Sequence, residues 1–272
     1  MEDNFYGFEK FFNKNDKSTI KYIVEYIDKK YSNKRKITYD TTFYMTHIYY
    51  VLKTGIQWKA LTCVCDESTI RKKFTFWNKN GIFDTAYNEL RDVYLTNTQI
   101  KNTYIDASQS RNINGNDLIG RNHYDRYRFS TKLHLLIDEN RVPISYVFTS
   151  GNVSDCKMTA QLTDILKNKI TKDKRRTINI IGDKGYTNFK LAEKLRNDNI
   201  YLYTPLKSNN KKIKNTKKYN RKLKTFNRII IENVFSRLDK FKRIYNRYEK
   251  LSQNFIGFHN IAFIGMIIYK LN

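Results

Sequence analysis

RIIIENVFSRLDKFKRIYNRY, residues 228–248, is the stretch on which the reading of the whole chain turns. Ile231, Val234, Phe235, Leu238, Phe241 and Tyr245 recur at three- and four-residue steps and predict one apolar stripe along a long amphipathic helix. Arg228, Arg237, Lys240, Lys242, Arg243 and Arg247 crowd the rest of its surface. Glu232 stands beside the stripe, where the helix turns into its own domain. A carboxylate there must be paired, protonated or bound to a cation. An i,i+4 ion pair with Arg228 would satisfy it on any surface helix. The residues upstream supply the other possibility.

Two more carboxylates interrupt apolar runs. Asp106 lies inside YIDAS, and Asp183 directly follows TINII (177–181), a run suited to a strand buried on both faces. Strands are also expected at 103–107, at 127–137, where Phe129, Thr131, Leu133 and Leu135 alternate, and at 142–149. A helix capped by Ser154 or Asp155 runs to 167, a second covers 188–197, and a further strand takes 201–204. The order β-β-β-α-β-α-β and then the helix of 228–248 gives an α/β fold, a mixed sheet flanked by helices. Carboxylates at the ends of adjacent strands converge at one edge of such a sheet, where these folds place ligands. Three carboxylates at one point repel each other unless cations lie between them. Oxygen donors without Cys or His suit Mg²⁺ or Mn²⁺, and two such ions clamp the attacking and leaving oxygens of a phosphodiester displacement. Each acid also has an ordinary role open to it: Asp106 as a hydrogen-bonded buried acid, Asp183 as a turn former before Gly185, Glu232 as a salt bridge.

The first ninety-five residues read as helices. Ile20, Ile23, Val24, Ile27 and Tyr31 mark the first, beginning after Ser18. The second runs from an Asp40 cap through Leu52 to Gly55. Ser68 caps the third, with Ile70, Phe74 and Trp77 inward and Gly81 past its end. Phe83, Tyr87, Leu90, Val93 and Tyr94 mark a fourth. Short helices with Arg71, Lys72 and Lys73 on the first turns of the third fit a small all-α, helix-turn-helix-like region, also the layout of many bundles that bind nothing. The expected division is a helical region over 1–98 and a catalytic domain over 99–272.

Composition narrows the partners. The net charge is +25, from 51 Lys and Arg against 26 Asp and Glu, which points to a polyanion, with nucleic acid the default. Residues 207–224, KSNNKKIKNTKKYNRKLK, hold nine Lys or Arg and no acid, a solvated loop that is also a phosphate-tracking surface. Three cysteines without a CxxC pair, and four histidines without zinc spacing, fit a reducing compartment and no structural zinc. The N-terminus has no apolar core of a secretory signal. The apolar run 255–271, broken by His259 and Asn260, reads as a buried terminal helix too short to span a bilayer, so no membrane partner is expected.

The same residues carry a family resemblance. YIDAS around Asp106, TKLHLLIDENRVPISYVFTSGNVSD at 131–155, GDKGY at 182–186 and RIIIENVFSRLDKFKRIYNRYEKLSQNF at 228–255 resemble, in order, an insertion-sequence DDE transposase with a ribonuclease H-like catalytic domain. TGIQWKAL (54–61) and STIRKKFTFWNKNGIF (68–83) resemble the helical DNA-binding region of that family. The resemblance implies that Asp106, Asp183 and Glu232 are the catalytic, metal-holding residues for two Mg²⁺ or Mn²⁺ ions. Arg228 matches the arginine four residues before the glutamate. Thr225 stands where the family has tyrosine, and Asp239 where it has lysine, with Lys240 one step later. Lys132, His134, Arg228, Lys240 and Arg243 join Arg71, Lys72 and Lys73 as candidate DNA contacts. The implied activity is transposition: binding of terminal inverted repeats, hydrolysis of a phosphodiester and joining to target DNA, by a homodimer or higher assembly. Its expected location is wherever the element's DNA resides: a prokaryotic cytoplasm, a nucleus or a viral factory. The rival readings are a retired or domesticated DNA-binding relic, and a nuclease of the same fold that cuts without strand transfer.

Overall fold

The computed structural model describes residues 6–30, 39–122, 125–167, 177–205 and 229–272. Arg228, Thr225 and the basic stretch 207–224 lie outside the described residues. The chain divides into two compact units: Met1–Tyr94, Arg111–Asp117 and Arg237–Asn272 form the first, and Leu95–Ser110 with Leu118–Ser236 the second. The N-terminal segment of the first unit ends at Tyr94. The C-terminal third does not stay with the sheet throughout, because residues from Arg237 onward group with the N-terminal helices.

The first unit is helical. Its helices are α1 (Lys14–Lys30), α2 (Thr41–Thr54), α3 (Glu67–Lys79) and the greater part of α4 (Ile82–Asn97). Asp40 caps α2 by accepting from the Phe43 N–H at 2.6 Å, and Gly55 ends it at φ 74°, a left-handed backbone that glycine adopts without a Cβ penalty. The α3 cap is Asp66, which accepts from the Ser68 N–H at 2.8 Å, so the expected cap at Ser68 is displaced by a better acceptor two residues earlier. Helix α1 begins four residues ahead of Ser18. Asp16 fits in its first turn because Tyr49 Oη donates to it at 2.8 Å and Lys53 pairs with it.

The last helix, α9 (Ser252–Leu271), packs against α1 and α3 and is buried on nearly all sides over Phe255–Ile268. It passes α3 so closely at Gly257 that a side chain there would run into Asn78. At 20 residues it is longer than the sequence reading allowed, and it is the one described helix long and apolar enough to cross a membrane. With 72% of its apolar window enclosed by protein, it serves here as a core helix.

The second unit is built on a sheet. Strands β1 (Asn102–Asn112), β2 (Gly120–Arg121), β3 (Phe129–Asp138), β4 (Pro143–Ser150), β5 (Ile178–Gly182) and β6 (Ile200–Tyr203) order as β2-β3-β1-β5-β6, with β4 also paired to β3. β3 and β4 are antiparallel, while β1, β5 and β6 run parallel. An antiparallel pair beside a parallel set that begins at β1, with α5 (Asp155–Ile165) following β4 and α6 (Phe189–Arg196) between β5 and β6, is the ribonuclease H-like order. Alternation predicted one covered face for β3, yet every residue from Ser130 to Asp138 is buried. A central strand hides its polar side chains as well, provided they are paired.

The helix expected over 228–248 is broken. It is seen as α7 (Ile229–Leu238), a single turn α8 (Lys242–Tyr245) and a short strand β7 (Asn246–Arg247) that pairs in parallel with Arg111 and Asn112. The Lys240 and Phe241 N–H groups turn back to Arg237 and Leu238 carbonyls three residues earlier, and Phe241 goes extended. Two buried demands outweigh the continuous stripe. The Phe241 ring meets Tyr49 edge-on, and Arg243 sinks to pair with Glu249 at 2.6 Å. A regular helix would have left Arg243 among exposed cations.

Candidate active site

The β1–β5 ladder sets the site. Asn102, Thr103, Tyr104 and Ile105 pair with Asn179, Ile180, Ile181 and Gly182 in parallel register. Asp106 and Asp183 are the next residue on each chain, so their backbones emerge side by side, roughly 5 Å apart, about one strand spacing. Both are half-buried. Asp106 accepts from the Ala107 N–H at 2.8 Å. Asp183 caps the one-turn 3₁₀ helix Lys184–Tyr186 by accepting from the Gly185 N–H at 2.7 Å. The sequence GDKGY thus fixes the carboxylate by its own following turn. Gly182 allows the close approach just before it, since a Cβ there would stand 2.7 Å from the Ile105 side chain.

A third acid faces the same turn. A Cβ on Gly185 would lie 2.9 Å from Asp183 Oδ1 and 3.4 Å from Asp155 Oδ2. Asp155 opens α5, and its other oxygen is held from β3: Lys132 Nζ donates to it at 3.0 Å and to the Val153 carbonyl at 2.8 Å. His134 Nδ1 stands 3.6 Å from the same oxygen, and its Nε2 meets Thr149 Oγ1 at 2.9 Å. Burial pushes the His134 pKa down from 6.5 to about 4; Asp155 opposes this and Lys132 adds to it. Lys132 and His134 therefore correct the sequence reading. They are 8% and 0% exposed, and they face an inner carboxylate rather than a DNA phosphate. The reason is the two-sided burial of β3. The sequence reads Asp155 only as a helix cap; TKLH with GNVSD at the end of the next strand is the available signal.

The other candidate contacts divide. Arg71 and Lys72 are exposed on α3 and Lys240 is exposed after α7. Lys73 is half-buried, its ammonium 5.3–5.9 Å from the ring centres of Tyr44, Phe76 and Trp77, and burial lowers its pKa. Arg243 is 4% exposed and committed to Glu249, so it is not a surface cation. Arg228 lies outside the described residues.

The sequence model of the transposase DDE domain matches residues 98–267, more than half of the chain and all three candidate carboxylates. The chain belongs to this family of DDE transposases. Among solved structures, it is similar to a piggyBac transposase synaptic complex with hairpin DNA, at 14% identity and a TM-score of 0.41, covering 72% of this chain and 50% of that one. It is also similar to a Mos1 mariner paired-end complex with Mn, at 10% identity and a TM-score of 0.30, covering 60% and 62%. A pre-cleavage Mos1 transpososome matches at 11% identity and a TM-score of 0.29, covering 88% and 79%. The chain spans about half the length of the piggyBac chain it matches. No curated protein matches it.

A DDE transposase domain calls for divalent cations, and the donor set can be tested on this geometry. Asp106 and Asp183 supply neighbouring, half-exposed hard oxygens, which fits a Mg²⁺- or Mn²⁺-sized ion. Glu232 lies in the first turn of α7, exposed and next to the buried Ile231. Among the described residues no three His, Cys, Asp or Glu side chains are gathered closely enough to hold an ion. The domain thus sets its two aspartates on neighbouring strands, and among the described residues Glu232 does not complete a three-carboxylate cluster with them.

Proposed function

We propose that this chain is a DNA transposase that binds terminal inverted repeats, hydrolyses a phosphodiester at each end and joins the freed 3′-hydroxyl to target DNA. The observation that carries this reading is the register of β1 and β5, which sets Asp106 beside Asp183 in a chain of the DDE transposase family. Asp106, Asp183 and Glu232 would hold two divalent cations, which lower the pKa of an attacking hydroxyl and neutralise charge on the phosphoryl oxygens. The chain's own part is to position. The Gly185 N–H orients Asp183, and Lys132 anchors Asp155 against the same turn. In the first step water adds to phosphorus and the 3′ oxygen leaves as the hydroxyl; in the second that oxygen attacks a target phosphodiester and displaces another 3′ oxygen. Exposed cations such as Arg71, Lys72 and Lys240 bind the backbone. Two copies pair two ends where the element's DNA resides.

The test is incubation of DNA carrying the element's ends with Mg²⁺ or Mn²⁺, using this chain and Asp183→Ala. Metal-dependent release and joining of 3′-hydroxyl ends, lost in the variant while binding persists, is the expected result. The exposed position of Glu232 favours a second reading, a relic that binds DNA without cutting. Binding without cleavage by either protein would establish it. Nicking unrelated to the ends would point to a nuclease.

A further inference from the structure

The first unit contains an open cavity of about 580 Å³, formed by segments far apart in sequence, with none of the candidate carboxylates among its lining residues. Three cations, Lys59, Arg71 and Lys250, are exposed among its lining residues. The only acid in the lining, Glu249, is buried and matched by Arg243, whose Nε and Nη2 donate to Glu249 Oε1 at 2.8 and 2.6 Å. The positive charge of the rim is therefore unopposed. Arg243 lies near two aromatic rings, its guanidinium carbon 5.8 Å from the Trp58 centroid and 5.4 Å from that of Tyr248. Tyr248 is half-buried, and the exposed Asn114 and Asn116 line the same cavity.

The wall is preformed. Fully buried Arg247 donates to the Asp117 carbonyl at 2.6 Å and to the Lys250 carbonyl at 3.1 Å, and it pairs with the Asp117 carboxylate. Asn112 and Gly115 exchange hydrogen bonds at 2.8 and 3.0 Å, and the Asn116 N–H reaches the Lys250 carbonyl at 2.9 Å. The loop carrying Asn114 and Asn116 is thereby fixed to the segment carrying Tyr248 and Lys250.

An aromatic side chain, free amide groups and a cationic rim around a volume of small-molecule size match the parts of a nucleotide. Phosphate tracking alone would require neither a concave volume nor the amides. Resting on the transposase reading, we propose that this cavity receives one unpaired nucleotide of a DNA strand. Its base stacks on Tyr248 with its polar edge toward Asn114 and Asn116, and its phosphates meet Lys59, Arg71 and Lys250. The base must be unpaired, because a duplex keeps its base faces stacked and out of reach.

The test is fluorescence anisotropy on the full chain with a labelled oligothymidylate of about ten nucleotides, and with an oligomer of equal length in which every base is replaced by an abasic sugar. Both carry the same phosphates. The expected result is roughly tenfold tighter binding of the oligothymidylate. Tyr248→Ala and the double variant Asn114→Ala/Asn116→Ala should abolish that preference, while Arg71→Gln and Lys250→Gln weaken both oligomers alike. The two asparagines are exposed, so their variant keeps the test available if Tyr248→Ala fails to fold by circular dichroism. Equal affinity of the unmodified chain for the two oligomers, or a preference that survives in the asparagine variant, overturns the proposal. Cleavage of element ends without any base preference would overturn it and leave the transposase reading intact. Failure to bind duplex ends as well as oligomers would overturn both.

Discussion

Asp106 and Asp183 each directly follow a member of the Ile105–Gly182 pair in the parallel β1–β5 ladder. A parallel pair needs a long crossover, and here that crossover carries β2, β3, β4 and α5. Residues 77 apart in sequence (183 − 106) are thus brought together by backbone pairing. Asp106→Asn and Asp183→Asn keep shape and hydrogen bonding while removing charge. Each is expected to lower end cleavage by at least about a thousandfold with little change in thermal midpoint. Single-turnover cleavage beside a melting curve checks this; cleavage retained within tenfold in either variant would remove the aspartates from the reaction.

At Gly185 the backbone closes directly on the carboxylates. An added Cβ would meet Asp183 Oδ1 at 2.9 Å and press on Asp155 Oδ2. The carboxylate has to turn away, because its own N–H partner is the backbone of the same residue. Gly185→Ala is expected to cut cleavage more than tenfold and to raise the Mg²⁺ concentration needed for half-maximal rate, while leaving binding to DNA ends unchanged. A Mg²⁺ titration of the rate, compared with a gel-shift assay, separates the two effects.

The Lys132–Asp155 pair is nearly enclosed on the lysine side and partly open on the other, with side-chain exposures of 10% and 30%. Removing the lysine leaves the carboxylate with only solvent and the His134 ring on that flank. Lys132→Met should destabilise the fold by about 2 kcal/mol, below the cost at a fully enclosed pair because Asp155 keeps contact with water. The double change Lys132→Met/Asp155→Asn should recover part of that loss. Urea midpoints of the three variants give the coupling; additive effects would show that the pair has none.

Much of this was legible before any coordinates, and the remainder had physical reasons to be hidden. The Asp40 cap, Gly55 stop and TINII strand are local signals, and local signals appear in the sequence. The aspartate positions followed from acids placed in apolar runs. The break after Leu238 was not visible, because Phe241, Ile244 and Tyr245 keep helical spacing, while the Phe241–Tyr49 contact and the burial of Arg243 against Glu249 that decide against it are tertiary. The inward roles of Lys132 and His134 were equally hidden: alternation marks one covered face, while β3 is covered on both. Asp155 joins the Asp183 turn across a separation that no sequence period records.

Two histidines, His259 and His134, add a defined component to the response of the fold to acid. Burial pushes the pKa of His259, enclosed in α9, from 6.5 down to about 4, against the opposing hydrogen bond to the Phe255 carbonyl. Burial does the same to His134, also to about 4. An unfolded histidine titrates near 6.5, so below that pH the unfolded chain takes up protons that the folded chain refuses. Their contribution to stability is complete above about pH 6.5 and is lost as pH falls from there toward 4, by roughly 3 kcal/mol for each at the acid end. Urea unfolding at a series of pH values should show the midpoint falling through this window. His259→Leu removes one of the two groups and should make that fall shallower by up to about 1.4 kcal/mol per pH unit, whatever its effect on stability at pH 8. If the variant's profile ran parallel to that of the unmodified chain, His259 would already be protonating in the fold, and the enclosure of α9 would have to open in acid before the protein unfolds.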